Sequence, residues 1–192
     1  MLTIGPSETS KEVREALAKG ADKGLILVDA NWAGRDPLAT AKALAGKVKE
    51  LGAELVLLGR VATDRDNAAV GPMLATLLGW GCVTDVVALE LSPTGGTAKR
   101  EADSGLESFT FALPAVLTCQ KDLNEPRYAG LKGIMAAKKK PVDEMPCPPA
   151  SSQVEVTKLA LPSARKAGRI VGEGAAAVPA LMDALRNEAK IL

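Results

Sequence analysis

Residues 55–80 read LVLLGRVATDRDNAAVGPMLATLLGW, and this stretch determines the fold. The apolar run at residues 55–58 is typical of a buried strand in a parallel sheet, and a polar loop leads from it directly into an apolar helix. The N–H groups at the start of a helix have no partner inside the helix, and the helix dipole adds partial positive charge there. The order of strand, loop and helix therefore favours a bound anion such as phosphate, or else an ordinary capped helix.

The loop carries polar groups of its own. Thr63, Asp64, Asp66 and Asn67 are able to cap the helix or to bind a ribose, and Arg60 offers a cation. Units of strand, loop and helix far outnumber those that hold nucleotides. On this pattern alone, a capped helix after a buried strand is the commoner outcome.

Length, composition and charge narrow the class of protein. The chain has 192 residues, 47% of them apolar, which is enough for one globular domain with room for an appendage. Its formal charge of +1 comes from intermixed acids and bases, so no basic field favours nucleic acid. No apolar run approaches the ~20 residues that span a bilayer, and the start MLTIGPSETS lacks the apolar core of a secretory signal. We therefore expect no nucleic acid partner and no direct membrane insertion.

The residue types that are absent or sparse limit the chemistry. The chain has no histidine, which removes the Ser-His-Asp, Cys-His and H-E-x-x-H mechanisms. Cys82, Cys119 and Cys147 are odd in number and widely spaced, which argues against a disulfide framework and against a zinc ribbon. A cytoplasmic location fits these cysteines best, and Cys82 is expected to be a buried thiol.

Helices and strands are predicted to alternate before residue 80, and the pattern changes beyond it. The helices are predicted at residues 10–19, 37–51 and 68–78, and the strands at 2–4, 24–29 and 54–58. Alternating runs at 83–91, 98–102 and 108–113 predict an antiparallel ribbon that leads into a core strand at 114–118. The predicted fold class is α/β, a three-layer, mostly parallel sheet with an antiparallel ribbon and a C-terminal arm.

The C-terminal part is less regular. MPCPPASSQ at residues 145–153 is a Pro/Ser linker, residues 154–161 are predicted as a short strand, and residues 178–192 as an amphipathic helix. We divide the chain into an α/β nucleotide-binding domain at residues 1–145 and a linker with a C-terminal arm at 146–192. The arm either reaches to a partner or packs on its own domain, because amphipathicity does not say which core a helix covers.

Four stretches carry a resemblance to a known family. They are ALAKGADKGLILV (residues 16–28), the stretch at 55–80, READSGLESFTFALPAVLT (100–118) and LNEPRYAGLKGIMAAKKKP (123–141). In order and spacing they resemble the β subunit of electron transfer flavoprotein, and the LNEPRYA block with its lysine run is the most specific of them. The resemblance implies a Rossmann-like fold of the adenine nucleotide α-hydrolase type.

The resemblance implies an electron carrier rather than an enzyme. In that family the β subunit is half of an αβ heterodimer, which passes electrons from acyl-CoA and other dehydrogenases, through an FAD held mainly by the α subunit, to a membrane quinone oxidoreductase. The β subunit also binds AMP in the loop after the strand that corresponds to residues 55–58. Carried over by position, the AMP-binding residues are Ile4, near the base, and the loop residues Gly59, Arg60, Val61, Ala62, Thr63, Asp64, Arg65, Asp66, Asn67, Ala68, Ala69 and Val70.

The resemblance also implies a docking segment for dehydrogenases at residues 123–140. Leu131, between Gly130 and Gly133, is expected to be an apolar anchor on a mobile loop, and the lysines after it are expected to speed encounter with acidic surfaces. Without the resemblance, such a lysine run is usually a solvated basic turn. The implied partner-binding residues are Leu131, Tyr128, Lys138 and Lys139, with Lys140 beside them; Tyr128 either docks the segment or contacts the flavin or the α subunit.

The sequence departs from the family in two places. Family members begin with an additional segment that contains the first strand and part of the AMP pocket, and we expect this sequence to lack it and a parallel strand to stand unpaired. Electron-bifurcating relatives hold a second FAD in place of AMP, and the run DRDNAAVGP shares their V-G-P ending. Trp80 after Leu78 and Gly79 is more like the ordinary members, so AMP and FAD both stay open.

Two other classes of function remain as alternatives. One is a stand-alone adenine-nucleotide-binding regulator of the universal stress protein type, which would not need the LNEPRYA block. The other is an ATP-dependent enzyme, which is weakened because the G-x-x-x-x-G-K-[ST] motif is absent. Trp32, in a loop bounded by glycine, either packs over the edge of the sheet or stacks on adenine.

Overall fold

A computed structural model describes residues 1–121, 123–149, 151–165 and 167–192 of the chain. The helices are α1 (Ser10–Ala18), α2 (Pro37–Glu50), α3 (Val70–Leu78), α4 (Leu131–Ala137) and α5 (Val178–Asp183). The strands are β1 (Leu2–Gly5), β2 (Gly24–Val28), β3 (Leu55–Gly59), β4 (Gly81–Ser92), β5 (Gly95–Ala102), β6 (Gly105–Ala112), β7 (Ala115–Cys119) and β8 (Val142–Pro146). Short 3-10 turns lie at Ser7–Thr9, Trp32–Gly34 and Ala175–Ala177, and a π-helical turn lies at Ala184–Glu188.

The strands form two sheets. One has the order β1-β2-β8 and is parallel throughout. The other has the order β3-β7-β4-β5-β6, in which the first three strands are parallel and the last three form an antiparallel ribbon. The prediction of an α/β fold with mostly parallel strands and an antiparallel ribbon is confirmed. Within the described ranges, β1 and β8 are the outer strands of the first sheet, and β3 and β6 those of the second.

Helices cover both faces of the parallel strands. Leu17 of α1, Ile26 of β2 and Ala137 of α4 form one buried cluster. Successive side chains of a strand point to opposite faces, so Leu25 lies on the other face of the sheet from Ile26. Leu2 pairs with Leu25, and on that face it packs against the cluster formed by α2 and α3. This arrangement gives the three predicted layers.

Helix α2 shows how the sequence produces these layers. Asp36 is its N-cap, and the Asp36 carboxylate accepts a 2.7 Å hydrogen bond from the N–H of Ala39, while Pro37 fills the first turn. The small buried residues Ala41 and Ala45 then allow α3 to pack closely against α2. No helix of the described part is both long and apolar enough to cross a membrane.

Four predictions of secondary structure were wrong. Residues 154–161 form no strand, because their alternating pattern meets no neighbouring strand to complete a ladder. The segment predicted as a docking loop contains helix α4, and β8 forms in a region predicted as irregular because β2 offers it a parallel edge. The C-terminal helix α5 ends at Asp183 and continues only as the π-helical turn, short of the predicted end at residue 192.

The chain divides into two compact units, Met1–Glu155 and Val156–Leu192. The predicted division into an α/β nucleotide-binding domain at residues 1–145 and a linker with a C-terminal arm at 146–192 stays a prediction.

Candidate functional site

The loop predicted to hold a phosphate lies between β3 and α3, at the carboxyl ends of the parallel strands β3 and β7. Arg60, its first residue, donates a 3.1 Å backbone hydrogen bond to the carbonyl of Cys119 at the end of β7. The N–H groups of Arg65 and Asp66 both donate to the carbonyl of Ala62, at 3.2 and 2.9 Å, which closes a tight turn. Residues 62–68 are exposed, so this turn is accessible to a ligand at the edge where α/β sheets bind them.

Two residues of the loop have left-handed backbones. The φ angles of Asp66 and Ala68 are both 48°. For a residue with a Cβ this conformation costs on the order of 1 kcal/mol, and such strain concentrates at ligand-binding loops. A left-handed residue next to ordinary ones turns successive N–H groups toward the same side, which forms a concave site for an anion. This backbone geometry is compatible with an anion at the loop, and the phosphate site stays a prediction.

The start of α3 has no side-chain cap in the described structure. The prediction that Thr63, Asp64, Asp66 or Asn67 caps this helix was wrong, because the N-cap position is Ala69, whose methyl group accepts no hydrogen bond. The ribose-binding alternative for those four side chains stays a prediction. Because no side chain competes for the first N–H groups of α3, a bound anion has access to them.

Both arginines of the loop have partners within the protein. The guanidinium of Arg60 forms an ion pair with Asp85 of β4, and each side chain is about one-third exposed. Arg65 donates a 2.9 Å hydrogen bond from Nη2 to the carbonyl of Ala33, and its Nε lies 3.7 Å from the carboxylate of Asp64. Arg60 is therefore paired with a carboxylate, whereas Arg65 is held mainly by a carbonyl, and the backbone N–H groups add further donors to the loop.

Ile4 lies in the other sheet. It belongs to β1 and pairs with Leu27 of β2, whereas the loop follows β3. Ile4 lines a cavity together with Trp32, and the hydrogen bond from Arg65 to Ala33 joins the loop to the residue that follows Trp32. The remaining predicted AMP-binding residues, Gly59, Val61, Ala62, Ala69 and Val70, lie in the loop or at its two ends.

The predicted docking segment is more ordered than its glycines suggested. Leu131 is the first residue of α4 and is 78% exposed, while Tyr128 is 97% exposed. The prediction that mobile glycines flank Leu131 was wrong at Gly133, because a Cβ there would stand 2.6 Å from the carbonyl oxygen of Ala18. Leu131 therefore projects from a helix that packs closely against α1.

Two long cations connect α4 to α1. Arg14 of α1 donates a 2.8 Å hydrogen bond to the carbonyl of Ala137 at the end of α4. Lys140 donates to the carbonyls of Leu17 and Ala21, at 3.0 and 2.6 Å, and so caps the end of α1. Lys140 is consequently a structural residue rather than one that meets a partner.

The lysines before it differ from Lys140. Lys138 and Lys139 are exposed, as a surface that attracts acidic partners requires. Arg14 also reaches the carbonyl of Lys138, at 3.5 Å.

The three thiols are free. The prediction that Cys82 is buried was wrong, because its strand, β4, leaves that position exposed. Partial burial nevertheless raises the pKa of Cys82 and of Cys119 above the ordinary thiol value. These thiols are therefore protonated near neutral pH and are poor nucleophiles.

Comparison with known proteins identifies the family. Residues 1–150 match the electron transfer flavoprotein domain. The electron transfer flavoprotein subunit beta of Bradyrhizobium diazoefficiens is 40% identical over 196 residues, which cover 100% of this chain and 76% of the relative. The chain belongs to the electron transfer flavoprotein family. The subunit beta of Bacillus subtilis is 34% identical over 200 residues, or 100% of this chain and 78% of the relative.

A relative with a different name belongs to the same group. Subunit CarD of the caffeyl-CoA reductase-Etf complex of Acetobacterium woodii is 38% identical over 143 residues, which cover 74% of this chain and 55% of that protein. As a member of the electron transfer flavoprotein family, the chain is an electron carrier rather than an enzyme, as predicted. Membership also implies that its work involves a flavin.

Sequence reasoning missed the residues that hold the site in place. Asp85 lies 25 positions after Arg60 on a separate strand, and no local pattern pairs the two. The irregular ladder between Val83 and Val86, where Asp85 has a left-handed φ of 59°, is visible only in the folded structure. Arg14 gave no signal either, because it lies on the polar face of an ordinary amphipathic helix.

Proposed function

We propose that the chain is the β subunit of an αβ electron transfer flavoprotein, which shuttles electrons from acyl-CoA or other dehydrogenases to a membrane quinone oxidoreductase. The observation that carries this proposal is the similarity to β subunits along 100% of the chain, at 34–40% identity. The FAD is held mainly by the α subunit. It supplies the redox chemistry, because a flavin accepts and releases electrons. The β chain completes the cavity around the flavin, holds a nucleotide and provides docking surfaces.

The nucleotide proposed for the loop at residues 59–70 is AMP, as a structural ligand. Its phosphate is received by the N–H groups at the start of α3 and by the turn that contains Asp66 and Ala68. The exposed carboxylates of Asp64 and Asp66 face the sugar or the solvent, since they would repel a phosphate. Arg60 contributes little to phosphate binding because Asp85 neutralises it.

The α subunit is proposed as the permanent partner. Within the unit Val156–Leu192, Leu159 and Leu161 are more than nine-tenths exposed, and Ile170 is 86% exposed. Apolar side chains exposed along one segment in this number indicate a surface that another protein covers. We therefore propose that the C-terminal arm reaches to the α subunit rather than packing on its own domain.

Dehydrogenases are proposed to dock on α4. Leu131 is an exposed apolar anchor on a packed helix, with Ile134 and Met135 exposed on the same short helix. Lys138 and Lys139 lie at its end and attract acidic surfaces, which raises the rate of encounter more than the final affinity. Tyr128 is almost fully exposed, so it does not hold the segment against its own chain. It contacts a partner instead, either a dehydrogenase or the α subunit.

Co-purification with the α subunit tests the proposal. The expected product is a yellow heterodimer that contains FAD, and the nucleotide released by denaturation is AMP. Release of FAD at two equivalents per heterodimer, without AMP, would instead identify the variant with a second FAD, for which the similarity to subunit CarD is the supporting observation. A colourless homo-oligomer with bound ATP would contradict the proposal and support the stand-alone regulator.

The cytoplasm is the proposed compartment. The thiols of Cys82, Cys119 and Cys147 are free in the structure, as a reducing compartment would keep them. Fractionation of cells that express the full chain checks this, and recovery of the protein only from an oxidising compartment would contradict it.

A further inference from the structure

The indole of Trp32 is half exposed although the loop that carries it is firmly held. Asp29 accepts a 2.8 Å hydrogen bond from the N–H of Asn31 and forms an ion pair with Arg35. The N–H of Arg35 donates to the carbonyl of Trp32 at 3.2 Å. The other tryptophan, Trp80, packs against the core of α2 and α3. A large aromatic side chain that a rigid loop keeps half exposed is unusual unless something covers it.

Trp32 lines a cavity at the carboxyl ends of β1 and β2. The cavity measures about 380 Å³ and is bounded by Ile4, Gly5 and Pro6 on one side and by the start of α1 on another. This volume lies within the range of small-molecule sites, roughly 300–1,000 Å³. Its position is the edge of a parallel sheet where α/β proteins bind ligands.

The charges around the cavity select which part of a nucleotide it accepts. Glu8 and Glu12 lie on its wall with one lysine, Lys11, between them. Two carboxylates disfavour a phosphate, whereas they accept hydrogen bonds from an exocyclic amine or from ribose hydroxyls. The cavity therefore suits a base or a sugar, and the backbone N–H groups of the loop at residues 59–70 and of the start of α3 suit the phosphate.

The cavity and the loop are physically connected. Arg65 of the loop donates a 2.9 Å hydrogen bond to the carbonyl of Ala33, the residue after Trp32. A ligand that orders the loop thus also constrains the backbone that presents the indole.

We infer that Trp32 stacks on the base of the nucleotide whose phosphate the loop at residues 59–70 holds, and that it is the main source of selectivity for a nucleotide over a simple sugar phosphate. The inference rests on the proposed nucleotide site. Stacking suits this side chain because the indole face is the largest that the twenty amino acids offer.

Two substitutions in the full chain, purified with its α subunit, test the inference. Trp32→Ala is expected to weaken AMP binding about 5- to 150-fold, the range for stacking one base on an aromatic ring. The affinity for ribose 5-phosphate, which has no base, is expected to stay unchanged, and Trp32→Phe is expected to retain most of the AMP affinity. In the Trp80→Phe variant, the remaining tryptophan fluorescence of this chain comes from Trp32. AMP is expected to alter that emission, which is measured as the difference from the double variant Trp32→Ala, Trp80→Phe.

Each other result overturns the inference. If the parent and Trp32→Ala bind AMP with equal affinity, Trp32 does not stack on the base, and the nucleotide site is unaffected by that result. Equal losses for AMP and ribose 5-phosphate show that the substitution acts through the loop backbone. Unchanged AMP affinity with failure to assemble with the α subunit shows that a protein surface covers Trp32. A parent protein that binds no AMP at all contradicts the proposed nucleotide site as well.

Discussion

The carbonyl oxygen of Ala18 lies 2.6 Å from the point where a Cβ at Gly133 would stand, so α1 and α4 meet backbone to backbone. The contact fixes the height of α4 above α1 and therefore the direction in which Leu131 projects. Arg14 and Lys140 complete the attachment with hydrogen bonds to helix-end carbonyls. The proposed docking surface is thus a helix that packs directly on the first helix of the chain.

Gly133→Ala is expected to lower the free energy of unfolding by about 1–3 kcal/mol, because the new methyl group overlaps a backbone atom that has no room to move. It is also expected to slow electron transfer from a dehydrogenase, because α4 must shift. Urea denaturation measures the first effect. Gly130→Ala is the matched control: its φ is −73°, nothing lies within 4 Å of its Cβ position, and it should leave both quantities unchanged. Equal effects of the two substitutions would contradict the packing described.

Leu131→Ala is expected to raise the KM for a dehydrogenase about 30-fold, the size of effect expected when a buried anchor of about 2 kcal/mol is truncated. The FAD content of the heterodimer should not change, because Leu131 projects from α4 into solvent. Leu51→Ala removes a leucine that is 57% exposed at the end of α2 and serves as the control. Transfer kinetics that match the parent would exclude the docking role of Leu131.

Lys139 and Lys140 are expected to behave differently although they are neighbours. Lys140→Met deprives the carbonyls of Leu17 and Ala21 of a donor and should lower the free energy of unfolding by about 1–3 kcal/mol. Lys139→Met should leave stability unchanged and should reduce the rate of association with an acidic dehydrogenase, most strongly at low salt. Stopped-flow kinetics across a salt series measures the second effect. A Lys140→Met variant as stable as the parent would refute the capping role.

Gly71 and Gly46 should respond in opposite directions to replacement by alanine. A Cβ at Gly71 would collide with the methyl group of Thr118, so Gly71→Ala should destabilise the protein by about 1–3 kcal/mol and weaken AMP binding by displacing the start of α3. Gly46 is an exposed position of α2 where a Cβ meets nothing within 4 Å, so Gly46→Ala should stabilise the protein by about 0.5–1 kcal/mol. Thermal melts with and without AMP test both, and a stabilising Gly71→Ala would contradict the close approach of α3 to β7.

The loop that carries Trp32 is expected to lose stability in acid. The hydrogen bond from Arg35 and that from the N–H of Asn31 hold the pKa of Asp29 below its ordinary value, and hydrogen bonds from Ala39 and Gln153 lower the pKa of Asp36. Because the folded state binds fewer protons than the unfolded state, this stabilisation is present above the ordinary aspartate pKa of about 3.9 and disappears as the pH falls through the lower folded values. Calorimetry between pH 6 and 3 should show a steeper fall of Tm in the parent than in Asp29→Asn. Parallel curves would mean that Asp29 does not contribute.

The loop at residues 59–70 and its two flanking elements show how far local sequence reaches. The sequence predicted the strand at Leu55–Gly59, the loop after it and the helix at Val70–Leu78. The signals for them are the spacing of apolar residues, the polar composition of the loop and the glycine after the helix, and each lies within about ten residues of the element that it predicts. The expected cation was not, because Arg60 meets Asp85 only after the chain has passed through α3 and entered β4. A side chain in another element decided whether that charge is free.

The docking segment shows the opposite limit. Residues 123–140 contain two glycines and a lysine run, which favour a flexible basic loop when they are considered alone. The segment became a helix against α1 because Gly133 has no side chain where the carbonyl of Ala18 lies, and because Lys140 meets the end of α1. The two elements are more than one hundred residues apart, so no local window contains the cause.

The sequence by itself determined the α/β class, the position of the loop between β3 and α3, and the family, because these follow from the hydrophobic period and from blocks of residues in a particular order. Tertiary structure alone decided which charges are neutralised, which lysine is structural, and that Trp32 stands half exposed over a cavity with Ile4. These outcomes depend on pairs of residues from distant elements, and the free energy of such contacts is set by geometry that exists only after the chain has folded.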